Sequence, residues 1–155
     1  SILDVGGGTL PITGKGTIHG MYNTAAVSVR GGTLTIDDGI TVKGEFAYGG
    51  KEFYGSPVTD NTRAIAAKGG TLIIKDDTFT ATSGVALEYT KGTVRLYGGS
   101  FNGMNIATRD YFGAINEGVT VVDLLAPGYT YQHTDGSSLE DYYVQSVSDV
   151  KVVKV

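Results

Sequence analysis

Cysteine is absent from the 155-residue chain, which excludes a disulfide framework, thiolate zinc sites and thiol catalysis together. Proline is scarce, at three residues against 24 glycines. That balance fits a chain that turns sharply and often, without the Pro/Gly/Ser monotony of disordered or collagen-like sequence. Positive charge is not in excess: a formal net charge of −4 leaves no basic footprint for nucleic acid or an anionic membrane surface. No apolar run approaches the roughly 18 residues that cross a bilayer, and Ser1-Ile2-Leu3-Asp4 is not a signal peptide. No membrane insertion is expected. With 41% hydrophobic residues the chain can fill one core and is too short for two ordinary ones. Val5-Gly6-Gly7-Gly8-Thr9-Leu10 and Val150-Lys151-Val152-Val153-Lys154-Val155 read as repeat and strand from the outset to the end, the pattern of a module with flanking domains.

What is present is a repeat. Its centre is Gly-Thr-apolar-x-apolar, found as Gly8-Thr9-Leu10-Pro11-Ile12, Gly32-Thr33-Leu34-Thr35-Ile36, Gly70-Thr71-Leu72-Ile73-Ile74 and Gly92-Thr93-Val94-Arg95-Leu96, with Gly113-Ala114-Ile115 as a decayed fifth copy. The threonines are 24, 38 and 22 residues apart, and the long interval resolves if residues 45–60 are an insertion. A strand with period-2 alternation lies upstream, in Ala26-Val27-Ser28-Val29, Ala64-Ile65-Ala66-Ala67 and Ala86-Leu87-Glu88-Tyr89. A third follows a tight turn, its apolar position being Ile18, Ile40, Phe79 and Phe101. Three short strands per period of about 22 residues, joined by turns too short for helical crossovers, predict an all-β parallel solenoid of five to six coils. One coil cannot bury its inward stripe alone, and stacked neighbours pair its backbone and cover its side chains. Leu10, Leu34, Leu72 and Val94 should form one inner ladder and Ile12, Ile36, Ile74 and Leu96 a second. An antiparallel sandwich or barrel is the alternative topology.

Gly-Gly-Thr-Leu-Thr-Ile-Asp-Asp-Gly and Leu-Tyr-Gly-Gly-Ser-Phe-Asn-Gly resemble the repeats of pectate-lyase-like right-handed parallel β-helices. More narrowly, they resemble β-helical segments of surface or secreted proteins of Gram-positive, often gut-dwelling, bacteria. The resemblance covers residues 5–122 and its motif is structural, so it implies a fold and an extracellular or cell-surface setting more than a chemistry. The tail from Asp123-Leu124-Leu125-Ala126-Pro127-Gly128-Tyr129 is similar to the segments that close such modules. Residues 123–155 are expected to form a β cap with a turn at Thr134-Asp135-Gly136.

The resemblance extends to polysaccharide lyases and glycosidases, which puts carboxylates in question. Asp37-Asp38 and Asp76-Asp77 fall in equivalent turns, where they could bind calcium, act as an acid/base pair, or only serve as turn residues whose side chains bond nearby amides. Arg30 and Lys68 share an outer column that continues as Thr90, and Arg63, Arg95 and Arg109 are further bases; these could hold an acidic glycan or be solvated charges. Gly14-Lys15-Gly16-Thr17 lacks the spacing of a phosphate loop, and His19 and His133 lack metal-ligand spacing. A threonine array could suggest ice binding, but the neighbouring column, Pro11, Thr35, Ile73 and Arg95, is irregular. No catalytic residue, metal or cofactor is expected.

The insertion carries Phe46, Tyr48, Lys51, Glu52, Phe53 and Tyr54, aromatics beside charges in a glycine-rich loop. Insertions in solenoids gather on one face, often the binding face. Aromatic rings stack on pyranose C–H groups while charges bond hydroxyls; alternatively the loop folds back over the coil flank. With Arg63 these residues are the candidate site of a non-catalytic module that binds carbohydrate or another extracellular ligand or surface protein. A structural spacer and a fragment of a polysaccharide lyase or glycosidase are the alternatives.

Overall fold

The computed structural model describes residues 2–21, 25–45, 52–53, 56–57, 62–76, 78–81, 85–109, 116–139 and 145–155. Along the chain run β1 (Leu3–Val5), β2 (Thr9–Ile12), β3 (Thr17–Met21), β4 (Ala25–Val29), β5 (Thr33–Ile36), β6 (Thr41–Glu45), β7 (Glu52–Phe53), β8 (Ser56–Pro57), β9 (Arg63–Ile74), β10 (Thr78–Ala81), β11 (Val85–Leu96) and β12 (Ser100–Thr108). A 3-10 turn, Val121–Leu124, precedes β13 (Tyr129–His133) and β14 (Ser146–Lys154). The chain is all-β. Among the described residues twelve strands join in one curled, open, mixed sheet, and β7 and β8 pair antiparallel with each other.

Up to β12 the pairing in the large sheet is parallel and falls into three sets. In the first, β1, β4 and the N-terminal halves of β9 and β11 lie side by side and end on residues 106–108 of β12. In the second, β2 and β5 continue into the C-terminal halves of β9 and β11. In the third, β3, β6 and β10 end on residues 100–102 of β12. Because β12 ends both the first and the third set, the sheet curls back on itself there.

The register reproduces the two expected ladders: Leu10, Leu34, Leu72 and Val94 are successive partners, as are Ile12, Ile36, Ile74 and Leu96. Val27, Ile65, Leu87 and Ile106 add a matching column in the first set. The third ladder departs from expectation. Ile18 is partnered by Val42 rather than Ile40, then by Phe79 and Phe101. Asp38 and Gly39 both take positive φ, 69° and 79°, so Ile40 sits on the turn, buried ahead of the strand. Deep burial of Leu34, Ile36, Ile65, Leu72, Ile74, Leu87, Leu96 and Phe101 marks these columns as the core. Leu10, whose strand has a neighbour on one side only among the described residues, is 37% exposed.

The glycine before each threonine has a structural cause. Gly32, Gly70 and Gly92 have φ of 68°, 67° and 99°, and a Cβ on any of them would lie within 2.3–2.6 Å of the preceding strand's Gly-rich backbone. Only glycine combines that dihedral with that approach. A second close approach shapes the corner between the third and first sets. Gly44 meets the backbone of Arg63 and Ala64, and Gly20 that of Ala26, so glycines on one strand face alanines on the next.

The C-terminal part makes the sheet mixed. β14 pairs antiparallel with β12, Phe101 opposite Val150 and Ile106 opposite Val147, and its other edge pairs antiparallel with β13. Before it, Val121 and Leu124 are buried on the 3-10 turn, which Thr120 and Asp123 close with a reciprocal capping box. Leu125 forms a parallel bridge with Leu96, and the Ala126 amide donates to the Leu96 carbonyl at 3.0 Å. Leu125 thus takes the place next to Leu96 in the second ladder; the expected fifth copy at 113–115 lies outside the described residues. The turn at Thr134-Asp135-Gly136 forms as expected, with Asp135 accepting from the Ser137 amide and hydroxyl.

Candidate functional site

Of the residues singled out in the insertion, Phe46, Tyr48, Lys51 and Tyr54 lie outside the described residues. Glu52 and Phe53 contribute the backbone of β7, opposite Pro57 and Ser56. Arg63, the first residue of β9, has its Nε 2.8 Å from Oε1 of Glu88, while Nη1 of Arg109 is 3.4 Å from Oε2 of the same carboxylate. Glu88 stands between Ala66 and Ala107 in register, and those small neighbours leave room for two guanidinium groups. The Glu88 side chain is 8% exposed, and a charge buried to that degree is costly unless it is paired. In the same strands Ala25, Ser28, Ala66, Val85 and Ala107 are buried as well.

The aspartate turns are one residue out of step with their sequence alignment. The amides of Asp37, Lys75 and Tyr97 donate to the carbonyls of Ile12, Ile36 and Ile74 at 3.0, 3.1 and 2.8 Å, so Asp37 is matched by Lys75, with Oδ2 and Nζ 3.9 Å apart. Asp37 also accepts from the Asp38 amide at 2.8 Å, and Asp38 takes positive φ, which is turn chemistry. Asp77 lies outside the described residues. Among those residues no group of three or more His, Asp or Glu side chains is placed to hold a metal ion. His19 pairs with Glu45 at 2.7 Å on the third set's outer face.

The same continuation of the second set produces a surface that sequence reading missed. Beyond Ile36, Ile74 and Leu96 stand Asp37, Lys75 and Tyr97 in adjacent strands. Tyr97 is 41% exposed, and its ring meets that of Tyr129 edge-on, centroids 5.5 Å apart at 79°. An aromatic pair, an ammonium and a carboxylate therefore share one strip. The signal was legible in principle, since the strip is the ladder column advanced by one residue. The outer column Pro11, Thr35, Ile73 and Arg95 is in register and chemically irregular, so the threonine array stays one column wide.

No family model, curated protein or solved structure matches this chain. Among the described residues no helix is long and apolar enough to cross a membrane.

Proposed function

We propose that the chain is a non-catalytic carbohydrate-binding module of a bacterial surface or secreted protein, built as a right-handed β-solenoid of the pectate-lyase-like kind with three strands per coil. The three parallel sets in matched register support the solenoid reading, because each period then contributes one strand to each set. The observation that carries the binding reading is the strip of Tyr97, Tyr129, Lys75 and Asp37. An exposed ring held edge-on by a second ring offers a fixed apolar face at little entropic cost. Lys75 and Asp37 stand one and two strands away, about 4.8 Å apart per step, within reach of the hydroxyls of a stacked sugar and its neighbour. Asp37 opposite Lys75 serves a sugar contact better than paired carboxylate catalysis, in which two carboxyl groups face one bond.

A glycan array tests this directly. The wild-type chain should bind at least one oligosaccharide saturably, and Tyr97→Ala should weaken that binding about tenfold while the thermal transition stays cooperative and falls only by the loss of the edge-on contact with Tyr129. Tyr48→Ala and Tyr54→Ala report separately on the insertion. Absence of binding to every glycan would sink the proposal and leave the structural-spacer reading.

A further inference from the structure

The two ends of the stack differ. At one, β12 is covered by β14 and Leu96 by Leu125. At the other, β1, β2 and β3 each pair on one side only among the described residues. From Ile2 to His19 every residue except Val5 is exposed or half-buried, with Ile2 67% and Leu10 37% exposed. Leu34, Ile36 and Val42, the register partners of Leu10, Ile12 and Ile18, are fully buried. The corner between β1 and β2 has the shape that receives backbone elsewhere in the stack. A Cβ on Gly31 would lie 2.6 Å from the Gly6 carbonyl oxygen, and one on Gly69 2.4 Å from that of Arg30, so those corners take only glycine. Gly7 holds the matching place. A Cβ on Gly7 meets nothing within 4 Å, and its φ is not positive, so nothing within one copy requires glycine there.

Pro11 narrows what can arrive. The amides of Thr33 and Asp37 donate back to Gly8 and Ile12, and Thr35, between them on the same side, is the partner of Pro11. The outward positions of β2 are therefore Thr9, Pro11 and Thr13, and Pro11 has no amide to offer. A further parallel coil would lose a ladder bond there. β3 carries no such block: Thr41 donates back to Gly16, so Thr17 and, two residues on, His19 present their amides outward. Charge favours a like partner. Asp4 and Lys15 are the only Asp, Glu, Lys or Arg in residues 1–21, so this coil contributes nothing to the net −4 that keeps copies apart elsewhere. We infer that this end binds the same end of a second copy, about a two-fold axis through the Gly7 corner and the middle of β3. That axis sets the glycine corners against each other and pairs the two copies of β3 antiparallel. It lays β1 of each copy over β2 of the other, where Pro11 leaves side-chain packing by Ile2 and Leu10 instead of strand pairing. Residues 2–19 approach the about 20 residues a side of a standard interface. Such a contact is isologous and closes at two copies, because the far ends are capped. The pairing is independent of the Tyr97 strip.

Sedimentation velocity of the full chain over a concentration series is the test. The wild type should pass from monomer to dimer and stop there, with a dissociation constant below about 1 mM that added salt does not raise, since the contact is apolar and without net charge. Gly7→Val should weaken the dimer about tenfold or more. Its thermal midpoint, measured at concentrations where both proteins are monomers, should match the wild type, because the new side chain touches nothing within one copy. Ile2→Glu should weaken the dimer to a similar degree by placing a charge in the contact. Tyr97→Ala, whose ring packs on Tyr129 of the closing segment, should leave it unchanged. A chain that stays monomeric up to about 1 mM would overturn the inference, as would a dimer that both Gly7→Val and Ile2→Glu retain, or a series of larger oligomers. In a further arm a peptide of residues 25–44, one coil of the repeat, is added to the chain. Binding of that peptide in place of the second copy would assign the face to a continuing coil and overturn the dimer; a dimer undisturbed by it supports the inference.

Discussion

Tyr89 sits at the inner edge of the first set, nearly buried, and its hydroxyl donates to the Gly92 carbonyl at 2.8 Å. Burial, helped by the charge of Asp123, raises its pKa above the ordinary 10.0. The neutral phenol is therefore favoured by folding: its stabilising contribution is complete below pH 10 and is lost as pH rises through the folded value. Tyr89→Phe should cost about 1 kcal/mol at neutral pH through the missing hydrogen bond and should unfold less steeply with pH above 10 than the wild type, as followed by urea titration at a series of alkaline pH values. Asp4 behaves oppositely. Its bond to Arg30, followed by the charge of that guanidinium, lowers its pKa below 3.8. What it contributes is present above that value and lost as pH falls through the folded one. Asp4→Asn should converge with the wild type at the acid end, and added salt should shrink the difference at neutral pH, since both side chains are well exposed. The role of Asp4 was not legible in the sequence, because Asp4 and Arg30 are 26 positions apart and meet only through the register of neighbouring strands.

At the scale of elements, the ladders were legible because inward positions in stacked strands must carry apolar side chains at a fixed spacing, and the glycine-threonine motif fixes the phase. Where a turn shifts that phase, the reading failed. Spacing alone points to Ile40 as the ladder member, yet the threonine or serine before each true member, Thr17, Thr41, Thr78 and Ser100, is the better guide. The register shifts between Tyr89 and Thr93, inside β11, leave no such mark in the repeat. The structure predicts a gradient along one column. Leu34→Ala and Leu72→Ala, both fully buried, should each cost about 2–5 kcal/mol in urea denaturation. Leu10→Ala, in the half-covered β2, should cost about 1 kcal/mol or less, since its side chain is already partly in water. Gly70→Ala should cost about 2–4 kcal/mol, because alanine must adopt φ of 67° with its Cβ 2.6 Å from the Gly31 carbonyl carbon.

For the whole molecule, the strands before β12 could be placed from one repeat, but the closing strand could not, because β14 pairs antiparallel and carries no copy of the motif. Its sequence, Ser146-Val147-Ser148-Asp149-Val150-Lys151-Val152, shows only apolar positions at intervals of two and three, which announces a strand without naming its partner. The structure supplies the partner and the consequence. Val147, Val150 and Val152 are buried against the edge of β12 and against β13. Each contributes roughly 1.5 kcal/mol or more by leaving water, and together they rival the roughly 5–15 kcal/mol by which a domain is stable at all. Their loss would also bare the edge of β12 and the side of Phe101, a template for pairing with other chains. A chain ending at residue 145 should therefore lose its cooperative urea transition and sediment as aggregates. The substitution Val150→Asp, which leaves the backbone pairing in place and buries one unpaired charge, should lower the midpoint sharply while the protein stays free of aggregates at low temperature. If the truncated chain instead remained free of aggregates with an unchanged midpoint, β14 would be an accessory and the parallel sets would be stable without it.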